Sequence, residues 1–168
     1  MSATIAEALL GCYGNQSATV ASELAFLFEA ARDWSRASDY YLEAANNASE
    51  VFAHQEAGVL AQRGLDMLRL LPETTECAKQ ELTLQTMVGQ SLMVAKGFAV
   101  PEVERAFIRA RELSLQLNEL AQLFRAEFSL AIVYVVRAEY ERAFDHGEQC
   151  LHLAEKARNQ VMLMQSHW

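Results

Sequence analysis

One pattern of small and large apolar residues recurs along this 168-residue chain. Ala21, Leu24, Ala25, Phe28, Ala37, Tyr41 and Ala44 set it out once, and Leu130, Ala131, Tyr134, Ala143, Gly147 and Cys150 repeat it at the same offsets. Small residues at these intervals let two helices touch while large ones fill the seam, which is the spacing of a helix–turn–helix repeat. A chain so patterned is confined to stacked helices. Stacks of this kind present surfaces rather than enclose reaction chambers.

Composition agrees with helices. Glycine (7) and proline (2) are scarce, whereas an all-β fold needs a turn every 8–12 residues or so. Alanine, leucine and glutamate abound, as helices prefer. The length fits a single domain, residues 1–168, able to bury a sizeable core. The net charge of −8 repels phosphate backbones, which argues against a nucleic-acid partner and for a basic one. No Lys/Arg cluster would seat the chain on an anionic membrane, and no apolar run approaches the roughly 20 residues that span one. The start, Met-Ser-Ala-Thr-Ile-Ala-Glu, lacks the basic opening of a signal peptide. Cys12, Cys77 and Cys150 are odd in number and far apart, so no disulfide framework is expected and a cytoplasmic setting is the simplest.

The periodicity predicts a short helix over 3–11, ended by Gly11 and Gly14. Ser17 would cap the next, with Val20, Leu24, Leu27, Phe28 and Ala31 as its stripe. After Asp33-Trp34, Ser35 would cap a helix that weakens at Asn46-Asn47. A helix from about Phe52 to Leu71 stops at Pro72. Thr74 or Thr75 opens a long one that Gly97 ends. Pro101 takes a first-turn position, followed by Glu102 and Glu104. Further helices run to about Ala138 and from Tyr140 to near Arg158. Ala131–Val136 reads locally as a strand, but its neighbours hold a helical period on both sides, so it is assigned to a helix buried on more than one face. Val161, Met162, Met164 and Trp168 begin an apolar helix that stops without a cap, which suggests a fragment of a longer array.

The offsets resemble the tetratricopeptide pattern. Leu24-Ala25 and Phe28 precede Ala37, Tyr41 and Ala44; Leu130-Ala131 and Tyr134 precede Ala143, Gly147 and Cys150; Val88-Gly89 and Leu92 precede Ala106, Ala110 and Leu113, with an insertion around Lys96–Pro101 that should lengthen the loop. More narrowly, the runs 22–30, Asp33-Trp34, 40–45, 52–57, 70–73 and 97–106 resemble the helical region that follows the nucleotide-binding module of large bacterial signalling ATPases, some fused to nucleotide cyclases and others to transcriptional regulators. The resemblance implies an all-α, right-handed tetratricopeptide-like superhelix of about seven antiparallel-paired helices. It also implies a non-catalytic scaffold or regulatory segment whose partners are proteins, peptides or other domains of its parent chain. The phosphate loop Gly-x4-Gly-Lys-Ser/Thr of the ATPase module is absent from the sequence.

No cofactor is expected. His146 and Cys150 lie four apart on one helix with His152 near, but closed zinc sites need four ligands and Cys150 occupies a seam position. His54-Gln55-Glu56 lacks a nucleophile at a matching spacing. The first helices of tetratricopeptide units line a concave groove, and carrying that over gives Phe26 and Glu29, then Gln90, Met93 and Val94, then Arg125, Phe128, Ile132, Val135 and Val136 as groove residues. This apolar strip is either a partner site or is covered by further repeats. Two rival readings are a homodimer through the apolar end Val161–Trp168 and a small-molecule pocket between Met93, Phe128 and Ile132.

Overall fold

The computed structural model describes residues 2–13 and 19–166. Every regular element among them is an α-helix: α1 (Ser2–Tyr13), α2 (Ala21–Ala30), α3 (Trp34–Glu50), α4 (His54–Leu68), α5 (Thr75–Lys96), α6 (Pro101–Leu117), α7 (Leu120–Val136), α8 (Tyr140–Ala157) and α9 (Gln160–Ser166). Seven of these nine, α2 to α8, match the number expected for the array, and α1 and α9 are the terminal helices expected over 3–11 and from Val161. Gly11 does not stop α1, and the Asn159 side chain caps α9 by accepting from the backbone N–H groups of Val161 (3.0 Å) and Met162 (3.3 Å). The strand-like run 131–136 is helical, but Val135 and Val136 stay exposed, so α7 is not covered all round. The proposed caps at Ser17 and the stop at Gly14 lie outside the described residues, as does Trp168.

Other boundaries differ by a few residues. Asp33, not Ser35, caps α3: its carboxylate accepts from the Arg36 N–H at 3.2 Å and from the Arg36 guanidinium at 2.7 Å. Thr74 caps α5, its hydroxyl oxygen accepting from the Cys77 N–H at 3.1 Å. Pro101 opens α6, where a missing N–H leaves no helical acceptor unpaired.

Five of the seven connections from α2 to α9 are one turn repeated. Arg32, Phe52, Asn118, Ala138 and Arg158 each take a left-handed conformation, with φ between 49° and 61°. The N–H of the next residue returns to a carbonyl five residues back: Asp33 to Phe28, Ala53 to Ala48, Glu119 to Ser114 and Glu139 to Tyr134, all at 2.9 Å, and Asn159 to Ala154 at 3.2 Å. This closure satisfies carbonyls that a helix end leaves open. Arg32 to Phe52, Asn118 to Ala138 and Ala138 to Arg158 are each 20 residues apart, so the sequence pattern is a repeat of turns as much as of seams. The two exceptions flank α5. A six-residue link, 69–74, precedes it and a four-residue link with Gly97 at φ 85° follows it. The insertion expected at Lys96–Pro101 is therefore the shorter of the two irregular links.

Each helix packs antiparallel on the next. The register is fixed by pairs such as Gly58 against Ser91, Gly89 against Phe107, Glu104 with Tyr134, and Glu127 with His146. A Cβ on Gly58 would lie 2.1 Å from Ser91 Oγ and one on Gly89 2.8 Å from the Phe107 ring, so glycine is what lets α4 meet α5 and α5 meet α6 so closely. Arg63 of α4 also reaches Glu29 of α2, Arg142 of α8 reaches Glu104 of α6, and α3 touches α5. Even-numbered helices thus lie side by side in one layer and odd-numbered helices in the other. Tyr41, Phe28, Leu24 and Leu84 fill the N-terminal seam, and Phe107, Val103, Leu130, Val133 and Tyr134 the next.

Candidate functional site

The irregular links around α5 open the even layer. Between α4 and α6 runs a cleft floored by α5, in two halves of about 530 and 650 Å³ that share Leu65, Arg69 and Gln85. One half ends at the 71–75 link and the other at Lys96 and Glu102. Four glutamines, Gln55, Gln62, Gln85 and Gln116, face into it with Ser91. Side-chain amides both donate and accept, so such a lining can pair with the N–H and C=O groups of an extended or helical segment. Three cations in the cleft are already engaged: Arg109 grips both oxygens of Glu81 (2.7 and 2.9 Å), Arg69 binds Asp66 at 2.9 Å, and Lys96 pairs with Glu102 at 3.9 Å. Arg105 carries no ion pair among the described residues.

The seams on either side of the cleft are clamped. At the first, the Tyr41 hydroxyl of α3 donates to Glu29 of α2, and Arg63 of α4 reaches both, at 3.2 and 3.3 Å. At the other, the Tyr134 hydroxyl of α7 donates to Glu104 of α6 at 2.6 Å, and Arg142 of α8 binds Glu104 at 3.1 Å while its guanidinium lies 3.8 Å from the Tyr134 ring centre. Arg137 adds a second guanidinium to Glu104. The Tyr134 hydrogen bond, with Arg137 and Arg142 behind it, holds the Glu104 carboxyl down to about 2 against the cost of burial. Burial and the Glu104 carboxylate push the Tyr134 phenol up to about 12, and burial with Glu29 does the same for Tyr41. Each clamp ties three successive helices, with tyrosine on the middle one.

The groove residues expected from the sequence do not share one surface. Phe26 and Glu29 belong to the first clamp: Phe26 meets the Tyr41 ring edge-on at 5.8 Å and lies under Arg63. They sit in the even layer, whereas Gln90, Met93, Val94, Arg125, Phe128, Ile132, Val135 and Val136 are on α5 and α7 of the odd layer. Of these, Gln90, Arg125 and Phe128 come together in a hollow of about 450 Å³ walled by Asn159 and by Val161 and Met162 of α9. Met93 packs into the seam with Val103, Phe107 and Leu130. Val94, Val135 and Val136 are exposed elsewhere, and Ile132 is half-buried. The small-molecule pocket expected between Met93, Phe128 and Ile132 takes in Phe128 alone.

His146 and Cys150 do not converge on a metal. Cys150 is buried, its Sγ 3.9 Å from the Phe124 carbonyl, and burial together with the Glu127 charge pushes its thiol up to about 12, so at neutral pH it is neither thiolate ligand nor nucleophile. His146 instead stacks on Tyr134 at 5.2 Å and bonds through Nδ1 to Glu127. Glu127 is 2% exposed. Burial drives its carboxyl up, and the hydrogen bonds from His146 and Arg111 (2.6 Å) outweigh that and hold it below the usual range. Among the described residues no three His, Cys, Asp or Glu side chains gather in a metal-binding arrangement, and no helix is long and apolar enough to cross a membrane. Comparison with known proteins finds neither a family model nor a curated protein that matches the chain.

The sequence reading missed the clamps. Their signal was present in Tyr41 and Tyr134, large seam residues whose hydroxyls need partners once buried. Which acid and which arginine would supply them depends on the helix register.

Proposed function

We propose that this chain is a non-catalytic interaction scaffold, a right-handed tetratricopeptide-like superhelix serving as a regulatory segment of a multidomain cytoplasmic signalling protein like the bacterial ATPases its sequence resembles. The observation that carries this reading is the amide-lined cleft between α4 and α6, open along its length and bounded by clamped seams. An elongated polar cleft on a stiff helical stack suits a peptide segment, either of another protein or of the parent chain. The clamps hold the walls, so a segment would bind without first ordering its receptor, which favours affinity.

Display selection of random peptides against the whole chain tests the reading. Enriched peptides should bind one per chain, compete with one another, and bind at least tenfold more weakly to a Gln62→Ala/Gln85→Ala variant. Enrichment no greater than on an unrelated helical protein would end the proposal. A second reading, self-association, is favoured by α9, where Val161 and Met164 face solvent. Light scattering of the chain with and without residues 160–168 separates it from the first.

A further inference from the structure

The two edges of the array differ in kind. Antiparallel packing puts the α3–α4, α5–α6 and α7–α8 turns along one edge and the α2–α3, α4–α5, α6–α7 and α8–α9 turns along the other. The second edge is mostly polar, with Arg32, Asp33, Glu73, Asn118, Glu119 and Arg158 at its turns, and carries Leu70, Leu115 and Val161 as exposed apolar residues on separate turns. On the first, Val51, Phe52, Phe98, Val136, Tyr140 and Phe144 all reach solvent. Arg137 ties two of these turns together by donating to the Ala99 carbonyl at 3.0 Å. Solvent-facing apolar side chains scattered singly need no explanation, but a row of them along three turns of one edge does.

Phe52 sharpens the case. It is 80% exposed and holds φ at 61°, a conformation that costs a bulky side chain about 1–2 kcal/mol and that glycine adopts freely. Its ring meets His54 edge-on, with centroids 6.1 Å apart. Neither folding nor packing accounts for phenylalanine here.

Charge names the occupant. Glu50, Glu56, Glu141 and Asp145 stand along the same edge with no ion pair among the described residues. Glu50 is the last residue of α3, where the helix dipole disfavours an acid. Of the basic residues here, Lys96, Arg137 and Arg142 are held by Glu102, Glu104 and Glu139, which leaves Arg105, a turn into α6, as a cation without an ion pair among the described residues. On α8, Tyr140, Glu141, Phe144 and Asp145 line a shallow hollow of about 490 Å³. Two aromatic faces beside two free carboxylates suit a lysine or arginine: the head group meets the acids and the rings, and its methylene stem covers the apolar surface.

We infer that this edge is a second docking surface, distinct from the cleft, and that it takes a basic amphipathic segment of a protein partner. Its apolar residues cover the Phe52–Phe98–Val136 row and a lysine or arginine lodges on α8 between Tyr140 and Asp145. The inference extends the scaffold reading without using the cleft.

The test uses the whole chain as wild type, as a Phe52→Gly/Phe144→Ser edge variant and as the Gln62→Ala/Gln85→Ala cleft variant, with circular dichroism to check the fold of each. The probes are an 18-residue amphipathic Leu/Lys helix, a Ser/Lys peptide of equal charge, a Leu/Glu helix, and vesicles of phosphatidylcholine with and without phosphatidylserine. The Leu/Lys helix should bind wild type and cleft variant alike, and at least tenfold more weakly the edge variant. The Ser/Lys peptide should bind at least tenfold more weakly than the Leu/Lys helix, and the Leu/Glu helix should not bind. Equal affinity of edge variant and wild type overturns the inference, as does Leu/Glu binding as tight as Leu/Lys. So does capture by vesicles without peptide binding, or a dimer that the edge variant abolishes. Loss of the Leu/Lys helix in the cleft variant alone would overturn it and leave the scaffold reading standing.

Discussion

Glu104→Gln should cost about 2–3 kcal/mol at neutral pH, and that cost should disappear in acid. Glu104 accepts from Tyr134, Arg137 and Arg142, and the side chains of Glu104 and Arg137 are 18% and 17% exposed. A glutamine of the same shape loses the charge and turns an NH2 group towards a guanidinium. Hydrogen bonds to charged groups contribute about 1.5–3 kcal/mol each when buried. Arg142, half-exposed, can return its head to water and adds little, whereas Arg137 cannot and already leaves Nη2 unpartnered. Linkage gives a similar size. A carboxyl held at about 2 rather than 4.5 corresponds to at most about 3.5 kcal/mol at roughly 1.4 kcal/mol per unit, reduced by the partial wetting of the site. Because the folded value lies below the unfolded one, this stabilisation is complete above about pH 5 and is lost as pH falls through 4.5 towards 2.

Urea unfolding followed at 222 nm, repeated from pH 7 to pH 2.5, measures the difference between wild type and variant. Amide hydrogen exchange locates it. Stability in a stacked array is close to a sum over neighbours, so exchange in α6–α8 should rise about 30- to 150-fold at neutral pH while α1–α3 stays within a few-fold. The matching Glu29→Gln change should cost only about 1 kcal/mol, since Glu29 and Arg63 are 31% and 46% exposed. A Glu104→Gln cost below about 0.5 kcal/mol at neutral pH, or one undiminished at pH 2.5, would refute the reasoning.

Three further predictions follow from the turns, the glycines and the thiols. Gly58→Ala should destabilise by about 1–3 kcal/mol because its Cβ would lie 2.1 Å from Ser91 Oγ, whereas Gly147→Ala, with nothing within 4 Å, should stabilise by up to about 1 kcal/mol through helix propensity; thermal melts of both give opposite signs or the packing argument fails. Ala138→Gly should raise stability by about 1 kcal/mol by relieving the left-handed residue at φ 58°, measured by the urea midpoint. Exposed Cys12 should react with a thiol reagent at pH 8 within minutes, and buried Cys150, with its thiol at about 12, only once urea opens the fold; equal rates would place Cys150 at the surface.

The helices were legible in the sequence because small and large residues alternate at seam positions wherever two helices meet. Phe28 with Ala37 and Tyr134 with Ala143 flank identical turns, one residue ending a helix and the other lying in the next. The turns themselves were less legible. Of the five left-handed residues only Asn118 is of a type that favours that conformation, and Arg32, Phe52, Ala138 and Arg158 give no local signal. That is why the helix expected over 52–71 begins two residues later, at His54. The groove was misassembled for a reason of parity. Taking α2, α5 and α7 as first helices of their units leaves α4 over, and skipping one helix in an alternating stack exchanges the two layers. Glu29 therefore ends in a clamp with α4 and not beside Gln90.

The same parity explains where the cleft lies. In the even layer, α2 is bound to α4 through Arg63 and Glu29, and α6 to α8 through Arg142 and Glu104. Among the described residues no side-chain hydrogen bond or ion pair joins α4 to α6. The 20-residue turn period fails only at the two links of α5, so the layer is released at the one place where the regular turn no longer sets the distance between alternate helices. Gly58 and Gly89 hold α5 tight against both neighbours at the floor, which leaves the opening to the upper faces of α4 and α6. A clamp in this seam would need a tyrosine on α5, and that helix contains none. A cleft made in this way costs little core, because the three helices still bury Leu65, Leu84, Val88 and Ala106 beneath it. The polar surface it exposes is what a partner segment would cover.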